Sequence, residues 1–210
     1  PAGHAPAILL GQAWLLEVRG KLDEAAAAYE KANVGANLSG QKEVAVESRI
    51  ALGQILSRQG KLANAELLLR RTREEAAKAR LRPLEAEAAV ALAETLLAKA
   101  DAPGSLRTAQ EAALLAEKFS GKPTLARALA VSAQALEKLG KNDEALDAYA
   151  KAASTLDWIR GSLKPEHVES YMARPDVQAL LKEALPRLQK GGRTAEAANL
   201  GRWLKSPAGA

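Results

Sequence analysis

The side chains that most often carry acid–base catalysis or bind metal ions are scarce in this sequence. Histidine occurs only twice, as His4 and His167, and cysteine does not occur. The absence of cysteine excludes disulfides, thiolate nucleophiles and zinc–thiolate sites. His167 follows Pro165 at a predicted helix start, where a packing or surface role explains it. Two histidines so far apart in the sequence predict neither a metal site nor a catalytic base.

Short catalytic motifs are also missing. The glycines occur singly and far apart, so there is no phosphate-binding loop, and neither a serine-centred elbow nor a His-Glu-x-x-His pair is present. The 25 acidic residues are interleaved with 30 basic ones, as in the run from Arg70 to Glu75. Such mixed charge is typical of solvated helix faces. We therefore predict a non-enzymatic protein with no cofactor and no metal.

The composition predicts that the elements holding these side chains are helices. Hydrophobic residues make up 48% of the chain but aromatic residues only 3%, so the interior must consist of small side chains. Good helix formers dominate, and β-branched residues never form alternating runs. No apolar run approaches the ~20 residues that span a bilayer. The expected fold is all-α, without membrane insertion.

A repeat runs through most of the chain. Gly20, Gly60 and Gly140 fall on a 40-residue grid, with Ala100 at the vacant point. The segment at 20–32 matches that at 140–152 in nine of thirteen positions, and 60–72 is a weaker copy. Each glycine separates two amphipathic runs and can adopt the left-handed conformation that ends a helix. The repeating unit is therefore predicted to be a helical hairpin.

These hairpins resemble the tetratricopeptide repeat family, in which small residues and an aromatic recur at fixed positions around a turn glycine. The first repeat supplies Ala13, Gly20, Ala25, Tyr29 and Ala32; the second Gly53, Gly60, Ala65, Leu69 and Thr72; the fourth Ala133, Gly140, Ala145, Tyr149 and Ala152. The period of 40 exceeds the family's usual length of about 34 and is similar to an extended subclass of bacterial regulatory repeats. The resemblance implies that both tyrosines lie in the core, with the hydroxyl near the surface.

The resemblance implies a right-handed solenoid of antiparallel helical hairpins with a C-terminal helical cap. Four hairpins are expected in residues 1–155, at about 5–37, 41–80, 83–119 and 122–155. In the third, a longer loop from Ala102 to Ser105 is expected to replace the tight turn. Residues 156–210 are expected to form capping helices and a tail, because solenoid ends need an atypical unit to cover their last apolar face. Trp158 and Trp203 are expected to seal that cap.

In the resembled family the first helix of each hairpin lines a concave groove that binds a partner. Carried over unit by unit, this implies the following partner-binding residues: Leu10, Trp14, Glu17, Ile50, Gln54, Arg58, Val90, Glu94, Arg127, Gln134 and Lys138. The family's chaperone adaptors place lysine and asparagine in one row of this groove to grip a C-terminal carboxylate. That row has Leu10, Ile50, Val90 and Ala130 here, so such a clamp is not expected.

The leading hypothesis is a protein- or peptide-binding module within a larger bacterial regulatory or signalling protein. A net charge of +5 and a pI near 9.5 leave a nucleic-acid-associated regulator as one alternative. An architectural or self-associating spacer is another. The chain does not start with methionine, so we expect it to be a segment of a longer protein, and a cytoplasmic location is the expectation.

Overall fold

A computed structural model of the chain describes residues 5–204, except for the side chain of Ser120. Within that range the backbone forms eleven α-helices and no strand. The helices are α1 (Ala5–Val18), α2 (Leu22–Leu38), α3 (Lys42–Arg58), α4 (Leu62–Lys78), α5 (Arg82–Ala98), α6 (Ala102–Leu115), α7 (Lys122–Lys138), α8 (Asn142–Ser162), α9 (Pro165–Met172), α10 (Pro175–Lys190) and α11 (Thr194–Gly201). A π-helical turn (Ala116–Ser120) continues α6. The predicted all-α solenoid of hairpins is confirmed.

The seven helices from α2 to α8 begin every 20 residues along the chain. Their first residues are Leu22, Lys42, Leu62, Arg82, Ala102, Lys122 and Asn142. The 40-residue repeat thus consists of two helix-plus-turn units of equal length. Because consecutive helices pack against each other in antiparallel pairs, every odd-numbered helix from α1 to α7 opens a hairpin and every even-numbered one closes it.

The tight turns depend on one residue with a left-handed backbone. At the first turn Gly20 has φ 75°, and the Lys21 N–H donates to the Leu16 carbonyl at 3.0 Å, which ends α1 as in a Schellman motif. Arg80 and Ala100 adopt the same conformation at φ 59° and 64° without being glycine. The left-handed conformation is unfavourable for residues with a Cβ, so packing of the flanking helices must hold these two turns in place.

The expectation of a longer loop in the third hairpin is wrong. The helix α6 starts at Ala102, and the Asp101 carboxylate accepts a hydrogen bond from the Gly104 N–H at 2.9 Å. Pro103 and Gly104 lie in the first helical turn, where backbone N–H groups need no partner within the helix. Residues that suggest a loop in the sequence are therefore part of a capped helix start.

The helices pack through small residues, as the composition predicts. Ala25, Ala65 and Ala145 are at most 1% exposed. A Cβ atom added to Gly53 of α3 would lie 2.6 Å from the Cγ and Cδ2 atoms of Leu69 in α4. Since Leu69 is fully buried, it has no free space to move into. Helix-to-helix distance in the second hairpin is therefore set by the absence of a side chain at residue 53.

The C-terminal helices cover the apolar side of α8. Leu181, Leu185 and Leu188 of α10 form one buried cluster with Leu156 and Ile159 of α8. A further unit is hidden in this part of the chain. Gly192 has φ 76°, and the buried Ala197 of α11 follows it at the same distance at which Ala25 follows Gly20.

The two tryptophans expected in the cap behave differently. Trp203 is partly buried and packs against the C-terminal cluster. The expectation for Trp158 is wrong, because its side chain is 59% exposed and the Lys122 ammonium group lies 5.5 Å from its ring centre. Trp158 lies on the solvent side of α8, one residue away from Ile159, which takes the buried position in that turn.

Gly53→Ala should lower the free energy of unfolding by about 1–3 kcal/mol, the usual cost of overpacking a close contact. This holds even though alanine favours helices over glycine by up to about 1 kcal/mol. Gly161→Ala is the matched control, because a Cβ atom there would meet nothing within 4 Å. Urea unfolding should show the control to be neutral or stabilised. Equal effects of the two substitutions would contradict the close packing of α3 on α4.

Removing residues 163–210, which include α9, α10 and α11, should uncover Leu156 and Ile159. We expect lower solubility and a lower melting temperature, because an uncovered solenoid end exposes core surface. Removing only residues 205–210 is the control and should change neither property. If the chain ending at Ser162 were as soluble and as thermally stable as the full chain, the C-terminal helices would not act as a cap.

Candidate functional site

The opening helices of the four hairpins line a common groove. The inner faces of α1, α3, α5 and α7 and the N-terminal half of α10 border a space of about 1030 Å³. Every repeat contributes side chains to it, so its shape follows the curvature of the whole array. This groove is the largest concave surface that the described residues form.

Small side chains form the floor of the groove. Ala51 and Ala91 lie on the 40-residue grid, and Ala130, Val131 and Thr95 extend the same surface. None of these side chains is long, so a bound chain could approach the helix backbones closely. The floor carries no charge.

Seven of the eleven predicted partner-binding residues line this groove: Trp14, Glu17, Gln54, Arg58, Glu94, Arg127 and Gln134. Lys138 lines a smaller adjacent cavity of about 350 Å³, which Gln134, Glu137 and Arg187 also border. Both spaces share Gln134 and Glu183, so they are neighbours on the same concave side.

The remaining three predicted residues do not lie in the groove. Val90 is fully buried and packs with Ala112 of α6, and Ile50 is 6% exposed within a cluster that contains Leu69 of α4. Leu10 packs against the core cluster of the first hairpin. The cause is helical geometry: the floor residues follow one position later, and this 100° step turns the Leu10 row towards neighbouring helices.

The α10 side of the groove was not anticipated, because the C-terminal segment was expected only to cover the end of the array. The α10 region contributes Arg174, Pro175, Asp176, Ala179, Leu180 and Glu183. The spacing of Ala51 and Ala91 could have revealed the floor, since both are small residues on the 40-residue grid. No comparable signal in the sequence indicates where α10 lies.

The charged side chains of the groove are paired with each other. Arg58 of α3 forms an ion pair with Glu17 of α1. Arg127 of α7 pairs with Glu94 of α5 at 2.8 Å, and the Glu94 carboxylate raises the pKa of Arg127. Arg174 donates two hydrogen bonds to Asp176 at 2.9 and 3.0 Å. The arginines therefore bridge parts of the scaffold, and Arg58 is not the free cation that the sequence suggested.

The two repeat tyrosines complete similar networks at opposite ends of the array. The Tyr29 hydroxyl donates to Glu17 at 2.6 Å, and the Tyr149 hydroxyl donates to Glu137 at 3.2 Å. Arg187 of α10 donates to the same Glu137 at 2.5 Å and stacks over the Tyr149 ring. Burial, followed by the nearby carboxylates, raises the pKa of both tyrosines. Both hydroxyls stay protonated donors at neutral pH, and both tyrosines are core residues, as predicted.

One row of the groove carries groups that are open to a ligand. Trp14, Gln54, Glu94 and Gln134 occupy equivalent positions, 40 residues apart. Trp14 is 58% exposed. The side-chain amides of Gln54 and Gln134 make no hydrogen bond with other described residues. An aromatic ring and two amides two repeats apart are suited to holding a polypeptide segment along the groove.

Elsewhere the described residues offer no sign of reaction chemistry. Residues 5–204 contain no group of three or more histidine, aspartate or glutamate side chains placed to bind a metal ion. His4 lies outside the described residues, and His167 is exposed near the start of α9. No described helix combines the length and apolarity needed to cross a membrane.

The comparisons with known proteins agree with the architecture. Residues 126–155 match the tetratricopeptide repeat family. No curated protein matches the sequence significantly. A Podospora anserina protein named as a kinesin light chain, with nearly identical TPR-like repeats, has 17% identity and a TM-score of 0.63, covering 96% of this chain and 94% of its own. BtubC (BKLC) from P. vanneervenii has 16% identity and a TM-score of 0.68, covering 96% and 79%.

At these identities the structural likeness establishes the fold alone, and that fold generally serves as a protein-interaction scaffold. Members of the family and its structural neighbours are typically non-catalytic. The chain therefore has a tetratricopeptide-like repeat fold throughout its described length, and its fourth hairpin is a tetratricopeptide repeat.

Proposed function

We propose that the chain is a non-catalytic module that binds a segment of another protein in its concave groove. The observation that carries this proposal is the groove of about 1030 Å³ with its uncharged floor and its row of open amides. Such a surface suits an extended or helical peptide, whose backbone carries a donor and an acceptor at nearly every residue. No reacting group is needed for this role.

Trp14 is proposed as the anchor of the interaction. Binding energy at protein interfaces is concentrated in a few side chains, and tryptophan is enriched among them. The ring of Trp14 is 58% exposed at the α1 side of the groove, next to the exposed Val18. Burial of both side chains by a ligand would remove a large apolar area from water.

Gln54 and Gln134 are proposed to align the bound segment. Glutamine side chains offer one acceptor and two donor hydrogens, which match the peptide backbone. Glu94 lies between them in the row but is held by Arg127 at 2.8 Å. The ligand would thus be held by an apolar contact at one end and by backbone hydrogen bonds along the floor, with little dependence on its charge.

The charge of the groove disfavours the alternative of a nucleic-acid partner. Phosphate backbones bind to arginine and lysine side chains that can neutralise them. The groove has three arginines, Arg58, Arg127 and Arg174, and each is paired with a carboxylate. The net charge of +5 is therefore not concentrated on the concave surface.

We further propose that the module belongs to a larger bacterial regulatory or signalling protein of the cytoplasm. This part rests on the resemblance of the 40-residue repeats to extended bacterial regulatory repeats. A binding module of this kind would bring its partner to another part of the same protein.

The proposal is tested with a peptide selected on the immobilised chain from a random peptide-display library. Its affinity, measured by isothermal titration, should fall at least about tenfold for Trp14→Ala, a loss of about 1.4 kcal/mol. A similar loss is expected when Gln54→Ala and Gln134→Ala are combined. Circular dichroism should show unchanged helical content for these variants.

Matched controls exist on the outer surface. Trp158 is 59% exposed, almost the same as Trp14, and lies outside the groove. Gln110 is an exposed glutamine on α6. Trp158→Ala and Gln110→Ala should leave binding unchanged. If independently selected peptides lost affinity with these two substitutions and not with the groove variants, the outer surface would be the binding face and the proposal would be wrong.

A further inference from the structure

The helix α1 has an exposed side that carries no charge. Its only charged residue is Glu17, which lies in the groove. Ile8, Gly11, Leu15 and Val18 are spaced by three and four residues, so they share one side of the helix, which we call the α1 outer face. Ile8 is 59% exposed, Leu15 48% and Val18 61%. Large apolar side chains in such a row are costly to leave in water.

The repeat shows what this side of the helix does elsewhere in the array. Residues 40 or 120 positions further along the chain are equivalent to those of α1. Leu15 corresponds to Ile55 of α3, which packs fully buried with Ala25 and Tyr29 of α2. Ile8 corresponds to Ala128 of α7, which packs with Ala112 of α6. The α1 outer face is thus a helix-packing surface that no described helix covers.

The residue types argue against a hairpin stacked at the usual repeat spacing. At the position of Ile8 the other opening helices have small side chains, and at the position of Gln12 two of them have leucine. The equivalents are Ser48, Ala88 and Ala128 for Ile8, and Leu52 and Leu92 for Gln12. A closing helix that fits over serine or alanine would clash with Ile8. The α1 outer face therefore departs from the stacking pattern at its two most informative positions.

The same residues are complementary to themselves. Gly11 and Gln12 lie at the middle of α1 (Ala5–Val18), and Ile8 and Leu15 lie at equal distances on either side. In an antiparallel pair of α1 helices related by a two-fold axis, Ile8 would face Leu15 of a second copy. Nothing lies within 4 Å of a Cβ atom built on Gly11, so the two backbones could approach closely at the crossing point.

We propose that two copies of this chain associate through their α1 outer faces as an antiparallel, two-fold symmetric dimer. The absence of charge means that identical faces meet without like-charge repulsion. The other end of the array is covered by α10 and α11, so one open end remains and the assembly closes at two copies. One helix of about 21 Å per copy gives a small interface, so dissociation in the micromolar range is expected.

Sedimentation equilibrium of the full 210-residue chain, from about 1 to 200 µM, should show a reversible monomer–dimer equilibrium. The double variant Ile8→Glu, Leu15→Glu should remain monomeric, because each copy would place carboxylates against the other. Leu114→Glu is the matched control, since Leu114 is 68% exposed on α6 and should not matter. A wild-type chain that is monomeric throughout, or a dimer unaffected by the double variant, would overturn the proposal.

Because the chain has no cysteine, single substitutions can also report the geometry. Gly11→Cys lies near the proposed two-fold axis and should form a disulfide-linked dimer under mild oxidation. Ile8→Cys should not, because the two copies of residue 8 lie at opposite ends of an antiparallel pair, about 10 Å apart along the helix axis. Cross-linking of Ile8→Cys alone would indicate a parallel pair and would overturn the proposed arrangement.

Discussion

Close approach of helix backbones is the constraint on which this structure depends. The contacts between neighbouring helices are made by alanine and glycine, and the clearest case is Gly53 against Leu69. Small residues lose little side-chain entropy on burial, but each also buries little area. Stability must therefore come from many equivalent contacts along the array. The same constraint shapes the groove, whose floor is built from Ala51, Ala91 and Ala130 because the opening helices pack side by side.

The repeat and its hairpins could be predicted from the sequence because glycine, alanine and tyrosine recur at fixed positions. The limits of that prediction lie where one structure can be built by different residues. Arg80 and Ala100 turn the chain as Gly20 does, so the 20-residue unit is hidden at those points. Asp101 caps a helix that begins with Pro103 and Gly104 nearby, a combination that suggests a loop when only the sequence is considered.

The candidate site was predictable where it follows the repeat and was not where it depends on tertiary packing. Trp14, Gln54 and Gln134 could be placed because equivalent positions share one orientation. Val90 and Ile50 were misplaced by a rotation of one residue, which a periodic pattern of small apolar residues cannot resolve. The ion pair of Arg58 with Glu17 spans two repeats, and the position of α10 depends on contacts far apart in the sequence. Neither leaves a local signal.

The equal spacing of helix starts has a consequence for how the length of such a chain can change. Inserting one residue within a helix rotates every later side chain of that helix by about 100°, which would move floor residues such as Ala91 out of the groove. Inserting or deleting 40 residues removes or adds a whole hairpin and leaves all faces in register. The junction before α7 uses a π-helical turn and Gly121, yet Lys122 still begins its helix on the 20-residue grid. Variation among descendants of this sequence should therefore accumulate as whole hairpins or as altered turn shapes, and single-residue length changes should be confined to the segment after α8.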